Sequence, residues 1–245
     1  MELVDKNRQR AVHRGTTYPA PFLIQRHEGF DGAIELQMLA RQGRHRQGID
    51  APVLPVPEGA TRVLYPCYMP EWLETDRTTR MVVLGVGRQK DPLGNIREIT
   101  QQADARITMI LEGALLQVAH DLDELTIRAG ETFEVPLVVS RSPKLKVPVE
   151  LQLMIPPELE KSAHLKAGTL KLSPSQNRGN LRVTTSRSSS VVGRWPLTIR
   201  AKALQEGRWP VIAQTSFSVQ IDAAPTGEAP PVPMGSVGGK APRNR

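Results

Sequence analysis

The sequence predicts an all-β chain of two tandem immunoglobulin-like antiparallel β-sandwiches followed by a disordered Pro/Gly-rich C-terminal tail. Three observations lead there. A stretch of sequence recurs 115 positions further on, the segments around each copy alternate apolar and polar side chains, and turn-forming residues interrupt the chain about every 8 to 12 residues. A length of 245 residues suits two domains of roughly 100 to 110 residues each. Only 4% of the residues are aromatic, while 21 are Pro and 19 Gly, a turn-rich composition poor in bulky anchors.

The duplication is ungapped over residues 21–39 (PFLIQRHEGFDGAIELQML) and 136–154 (PLVVSRSPKLKVPVELQLM). Pro21 and Pro136, Arg26 and Arg141, Glu35 and Glu150, Leu36 and Leu151, and Gln37 and Gln152 coincide, and most other positions exchange one aliphatic for another. The same offset brings residues 81–87 onto 196–202, and a slightly shorter one brings 106–111 onto 216–221.

Alternation with period two marks strands with one buried and one wet face. In the second copy Val147, Val149, Leu151 and Leu153 fall on one face and Glu150 and Gln152 on the other. Leu197, Ile199, Ala201 and Ala203 form a second such stripe, and Phe217, Val219 and Ile221 a third. Seven short strands are expected, near 123–128, 132–140, 147–155, 168–172, 179–185, 194–203 and 211–221, which is the count of an immunoglobulin-like sandwich. The segment 111–123 reads equally as helix or strand.

The resulting organisation is a charged N-terminal segment 1–14, a first sandwich 15–119, a second sandwich 120–222 and a tail 223–245. The first copy is less regular, with a longer polar insertion at 89–102, and is expected to be frayed or incomplete. The tail holds five Pro and four Gly in 23 residues, too little apolar surface to offset ordering entropy. The net charge of +7 sits largely at the ends, +2 on each, which leaves +3 on the body. That distribution argues against a nucleic-acid-binding domain, which concentrates charge on one element. No apolar run reaches the roughly 18 to 20 residues of a membrane-spanning helix. Residues 1–14 carry no signal-peptide pattern, so the chain reads as intracellular or as the C-terminal part of a longer protein.

The phrases VPLVVSR (135–141), PVELQL (148–153), IPPEL (155–159), GRWPLTIRAKA (193–203) and EGRWPVIAQTSFSV (206–219) resemble the repeated immunoglobulin-like units of large secreted bacterial proteins, often accompanied by pre-peptidase C-terminal domains. The resemblance covers 120–222 well and 19–111 more loosely. It implies a non-catalytic spacer or binding module at an extracellular or cell-envelope location, and it brings no functional residues with it.

No enzyme chemistry emerges from the residues. The five histidines, His13, His27, His45, His120 and His164, lack metal-ligand spacing, Cys67 is alone, and no nucleophile elbow is present. Gly85-Val86-Gly87 lacks a third glycine and a following helix, and reads as a strand end and turn. No cofactor is expected.

Three local sites stand against plainer readings. Arg41, Arg44 and Arg46 are a candidate contact for an anionic partner, or a hydrated loop. Asp121, Asp123 and Glu124 are a candidate interdomain Ca²⁺ site, or a solvated linker. Trp195 and Trp209, each in a Gly-Arg-Trp-Pro phrase, are candidate glycan-stacking residues, or end-caps of the core. The expected function is a non-catalytic structural or interaction module whose partners are other domains of a larger chain, or a protein or polysaccharide surface. The alternatives are a polysaccharide-binding accessory domain of a secreted hydrolase and, behind it, an intracellular nucleic-acid binder acting through the basic ends.

Overall fold

The computed structural model describes residues 1–4, 10–30, 32–39, 49–74, 77–105, 107–122, 124–160 and 164–224. Arg41, Arg44, Arg46, Asp123 and residues 225–245 of the expected tail lie outside the described residues.

The chain is all-β and forms two sandwiches in succession. The first has strands β1 (Glu2–Leu3), β2 (Arg10–His13), β3 (Thr17–Leu23), β4 (Ile34–Leu39), β5 (Leu54–Val56), β6 (Arg62–Tyr68), β7 (Arg77–Lys90), β8 (Ile96–Gln102) and β9 (Ile107–Glu112). One sheet has the order β1-β3-β6, and the other β2-β9-β7-β4-β5 with β8 also on β7. The second has strands β10 (Leu116–His120), β11 (Glu124–Arg128), β12 (Thr132–Arg141), β13 (Val149–Met154), β14 (Leu165–Ala167), β15 (Leu170–Leu172), β16 (Arg178–Thr185), β17 (Gly193–Gln205) and β18 (Trp209–Asp222). Its sheets run β10-β12-β16-β14 and β11-β18-β17-β13-β15. Helix among the described residues is confined to α1 (Pro157–Glu160) and one 3-10 turn (Ser189–Val191).

The two sandwiches share one strand order except for β14, which has no counterpart among the described strands of the first. β1, β3 and β6 correspond to β10, β12 and β16, while β2, β9, β7, β4 and β5 correspond to β11, β18, β17, β13 and β15. Even the parallel pairing recurs, β2 on β9 and β11 on β18, within otherwise antiparallel sheets. The tandem duplication read from the sequence is therefore carried by topology, and β8 and β9 together stand where the second sandwich has the single long strand β18.

Alternation builds the cores. β12 buries Phe133, Val135, Leu137 and Val139 and leaves the residues between them exposed or half-buried, so one face of its sheet meets the stripe Leu197, Ile199, Ala201 and Ala203 of the other. Two separate clusters result, one including Phe22, Leu36, Tyr65 and Leu111, the other Leu116, Leu151, Leu197 and Val219.

The structure bears on several of the sequence expectations. Residues 1–14 are not a separate segment, because β1 and β2 pair into the first sandwich. Among the described residues the first sandwich matches every strand of the second except β14, in whose place Asp50 makes only an isolated bridge to Tyr68 on β6. The described part of the ambiguous 111–123 segment holds no helix: it contains the end of β9 and the whole of β10 (Leu116–His120). Its Leu116–His120 part pairs with β12 and buries Leu116 and Val118 in the second core, so we propose the junction at residues 112–114. Gly85-Val86-Gly87 lies inside β7, which continues to Lys90 and turns back as β8, so the polar insertion is a β-hairpin. β7 also sits one residue away from the ungapped match, since Leu36 faces Gly85 whereas Leu151 faces Ala201, and it carries a β-bulge against β9 between Thr78 and Met81.

Candidate functional site

The contact between the sandwiches is a built site. Gly15 ends the turn before β3 with φ +78°, which frees its carbonyl to accept the amide of Ile212 on β18 at 2.7 Å. Thr16 pairs with Val211 as an isolated antiparallel bridge, and Thr17 Oγ1 donates to the carbonyl of Pro210 at 3.1 Å. The first sandwich thus covers part of the outer edge of β18, a row of groups that would otherwise be open to other strands. A Cβ on Gly15 would stand 2.6 Å from the Ile212 carbonyl oxygen, so both the φ angle and the close approach demand glycine.

Glu71 completes this edge by accepting the amide of Gln214 through Oε1. Burial in the joint pushes its carboxyl from the ordinary 4.5 up to about 6, against the opposing pull of that amide. Beside it the Tyr68 hydroxyl is pushed to about 12, chiefly by burial and also by the Glu71 charge, with Arg200 pulling the other way. A second patch lies near the junction, where Lys144 Nζ stands 3.3 Å from His13 Nε2 and 3.8 Å from Glu112 Oε2.

Each sandwich also has an open cavity at the loop that follows its third strand. The first, about 540 Å³, is lined by Arg26, Phe30, Ile34, Gly87, Ile99 and Gln101 among others. The second, about 600 Å³, is lined by Arg141, Leu145, Pro174 and Asn177 among others. In the first, Phe30 lies over Gly87, whose absent side chain makes room for the ring. The pair matched to Phe30 and Gly87 in the second sandwich is Leu145 and Ala203, both buried.

Of the sequence-predicted site residues, Asp121, Glu124, Trp195 and Trp209 are described. Asp121 is exposed between β10 and β11, within the second sandwich rather than at the joint, and Glu124 pairs with Arg194 at 3.3 Å. Among the described residues no group of three or more His, Cys, Asp or Glu could hold a metal ion. Trp195 donates its indole N–H to the Val191 carbonyl at 2.8 Å and packs against the second core. The Arg208 guanidinium lies 4.5 Å from the centre of the Trp209 ring and covers one face. Sequence reading missed Gly15, Thr17 and Glu71. The available signal was that Gly15 and Thr17 recur as Gly130 and Thr132 at the duplication offset.

No helix among the described residues is long and apolar enough to cross a membrane. No family model matches the chain, and no curated protein matches it. Solved structures similar to it include mouse cadherin-23 EC22–24, at 13% identity and a TM-score of 0.29 over 91% of this chain and 64% of that one. A Dpr2 Ig1–Ig2 complex with DIP-Theta Ig1–Ig3 follows at 8% identity and a TM-score of 0.26, covering 90% of this chain and 63% of that one. The I9–I11 tandem of titin gives 8% and 0.25, covering 91% and 66%. The chain spans just under two thirds of the length of each of these.

Proposed function

We propose that the chain is a non-catalytic, jointed spacer and protein-interaction module of a larger secreted or cell-envelope assembly. The observation that carries this is the joint itself, in which main-chain groups of Gly15 and Thr16 meet the edge of β18 and Glu71 caps Gln214. A joint built from backbone hydrogen bonds and a glycine-only approach restricts how two units sit, which suits a spacer. The export component rests on the resemblance of the strand phrases to units of secreted bacterial proteins. Protein rather than sugar partners are favoured because Trp195 and Trp209 are engaged by Val191 and Arg208. The arginines Arg41, Arg44 and Arg46 supplement this reading as a contact for an anionic partner, to be tested by heparin retention of the triple Gln variant.

Small-angle scattering tests the joint. Gly15→Val places a side chain on the Ile212 carbonyl and in a left-handed conformation that costs about 1 to 2 kcal/mol. The expected result is a broader distribution of shapes with both cores still folded. An unchanged scattering profile would remove the basis of the spacer reading.

A further inference from the structure

We propose that the exposed edge of β8 docks the second sandwich of another copy of this chain, head to tail, by repeating the internal joint. This goes beyond the spacer reading, which rests on the internal joint and is tested separately through Gly15.

The accepting half follows from register. Gly85 and Ala201 occupy the same place against β4 and β13, and their partners on the next strand are Gln101 and Ala213. Thr100 therefore corresponds to Ile212, and Glu98 to Pro210. The hydrogen-bonding phase also agrees. Asp91 N bonds Asn95 O and Ala103 N bonds Val83 O, so Arg97, Ile99 and Gln101 turn their backbone groups toward β7. Glu98 and Thr100 turn theirs outward, as Pro210 and Ile212 do toward Thr17 and Gly15. On β18 that outward edge is covered by the first sandwich; β8 pairs only with β7 among the described strands. The strand is otherwise polar, but it also presents two exposed isoleucines, Ile96 at 67% and Ile99 at 48%.

The donating half is present on the second sandwich. Gly15, Thr16 and Thr17 correspond to Gly130, Glu131 and Thr132, so the two residues that contact β18 through a carbonyl and a hydroxyl are retained. Gly130 has φ +92° beside +78° for Gly15. The amide of Met69 bonds Thr16 O just as that of Thr185 bonds Glu131 O, which places Arg187 where Glu71 stands in the first sandwich. Arg187 folds over Gly130, and a flexible side chain can swing away.

A single chain therefore carries both halves of the joint, one on each sandwich. The contact is heterologous and does not close on itself, so association extends as an open row of copies. It lacks the covalent tether that raises the effective concentration across the internal joint, so it is weak.

Sedimentation of the full chain from micromolar to millimolar concentration is the test. Wild type is expected to rise from monomer mass toward twice that mass and beyond. Thr100→Pro removes an outward N–H from β8, and Thr132→Arg places a bulky side chain on the donating half; each alone should stay monomeric. An equimolar mixture of the two variants keeps one intact half on each chain and should form dimers and nothing longer. Monomeric wild type at all concentrations, association that survives either variant, or a mixture that stays monomeric would overturn the proposal.

Discussion

Arg26 and Arg141 make the same clamp, one in each sandwich. Arg26 donates Nη1 to the Ala60 carbonyl and Nη2 to that of Pro57 at 3.0 Å. Arg141 donates Nη1 to the carbonyls of Pro174 and Gln176. In both cases the end of one strand is tied to the loop that leads into its neighbour, β6 or β16. The coincidence of these two arginines in the duplication is thus structural, although Arg26 uses both terminal nitrogens and Arg141 only Nη1.

Removing the clamp should destabilise the sandwich that holds it. Arg141→Ala leaves two carbonyls without their donor, and hydrogen bonds to a charged group contribute about 1.5 to 3 kcal/mol each at most. A loss of about 2 kcal/mol in urea unfolding of the second sandwich is expected. Arg141→Lys, with one point charge, should recover part of it. Equal stability of all three would show that the loop is held by something else.

Phe30 and Gly87 should behave as a coupled pair. A Cβ on Gly87 would lie 2.8 Å from Phe30 Cζ, so Gly87→Ala forces the ring to move and should cost about 1 to 3 kcal/mol as overpacking. Adding Phe30→Leu reproduces the Leu145 and Ala203 combination of the second sandwich. The double variant should then be more stable than Gly87→Ala alone, and a double-mutant cycle showing strict additivity would contradict the packing relation.

Much of this fold was legible in the sequence, for a physical reason. A sandwich needs period-two stripes, and the stripe Leu197, Ile199, Ala201 and Ala203 announces β17 within a few residues of its ends. The same reading placed β7 one residue out, because the path from β4 to β7 is one residue shorter than that from β13 to β17 and the stripe itself carries no mark of that difference. The Leu116–His120 strand stayed ambiguous because its partner, β12, begins in sequence only after β11 has intervened. The joint was illegible for a different reason. Glu71 meets Gln214 across 143 residues, and no local pattern connects a carboxylate in a Pro-rich turn with an amide on a distant strand edge. Tryptophans and acids drew attention by residue type, and the structure assigns Trp195 and Glu124 to local partners, Val191 and Arg194.

Cys67 provides a reporter for the first sandwich. It is fully buried beside Tyr65 in the first core, and burial pushes its thiol up to about 12. The reactive thiolate is accordingly scarce in the folded state. Labelling by a disulfide reagent at neutral pH should be slow and should accelerate with urea in step with loss of the first sandwich alone. Rapid labelling of the native protein would place Cys67 at a more open position.

The joint should respond to pH through Glu71, and the direction follows from its environment. Closing the joint takes the carboxyl partly out of water and raises it from 4.5 to about 6, so the closed form binds a proton more tightly than the open one. The contribution is fully present below about 4.5, and it is lost as pH rises through about 6. Above that, the ionised carboxylate keeps the Gln214 amide but bears the cost of being half-buried. Glu71→Gln retains a neutral oxygen for that amide and removes the titration, so its joint should stay closed across this range. Glu71→Ala removes the acceptor and should open the joint at every pH. Scattering or interdomain fluorescence transfer measured from pH 4 to 7 distinguishes the three. A wild-type joint that tightens rather than loosens on passing upward through pH 6 would show that the amide bond, and not burial, governs Glu71.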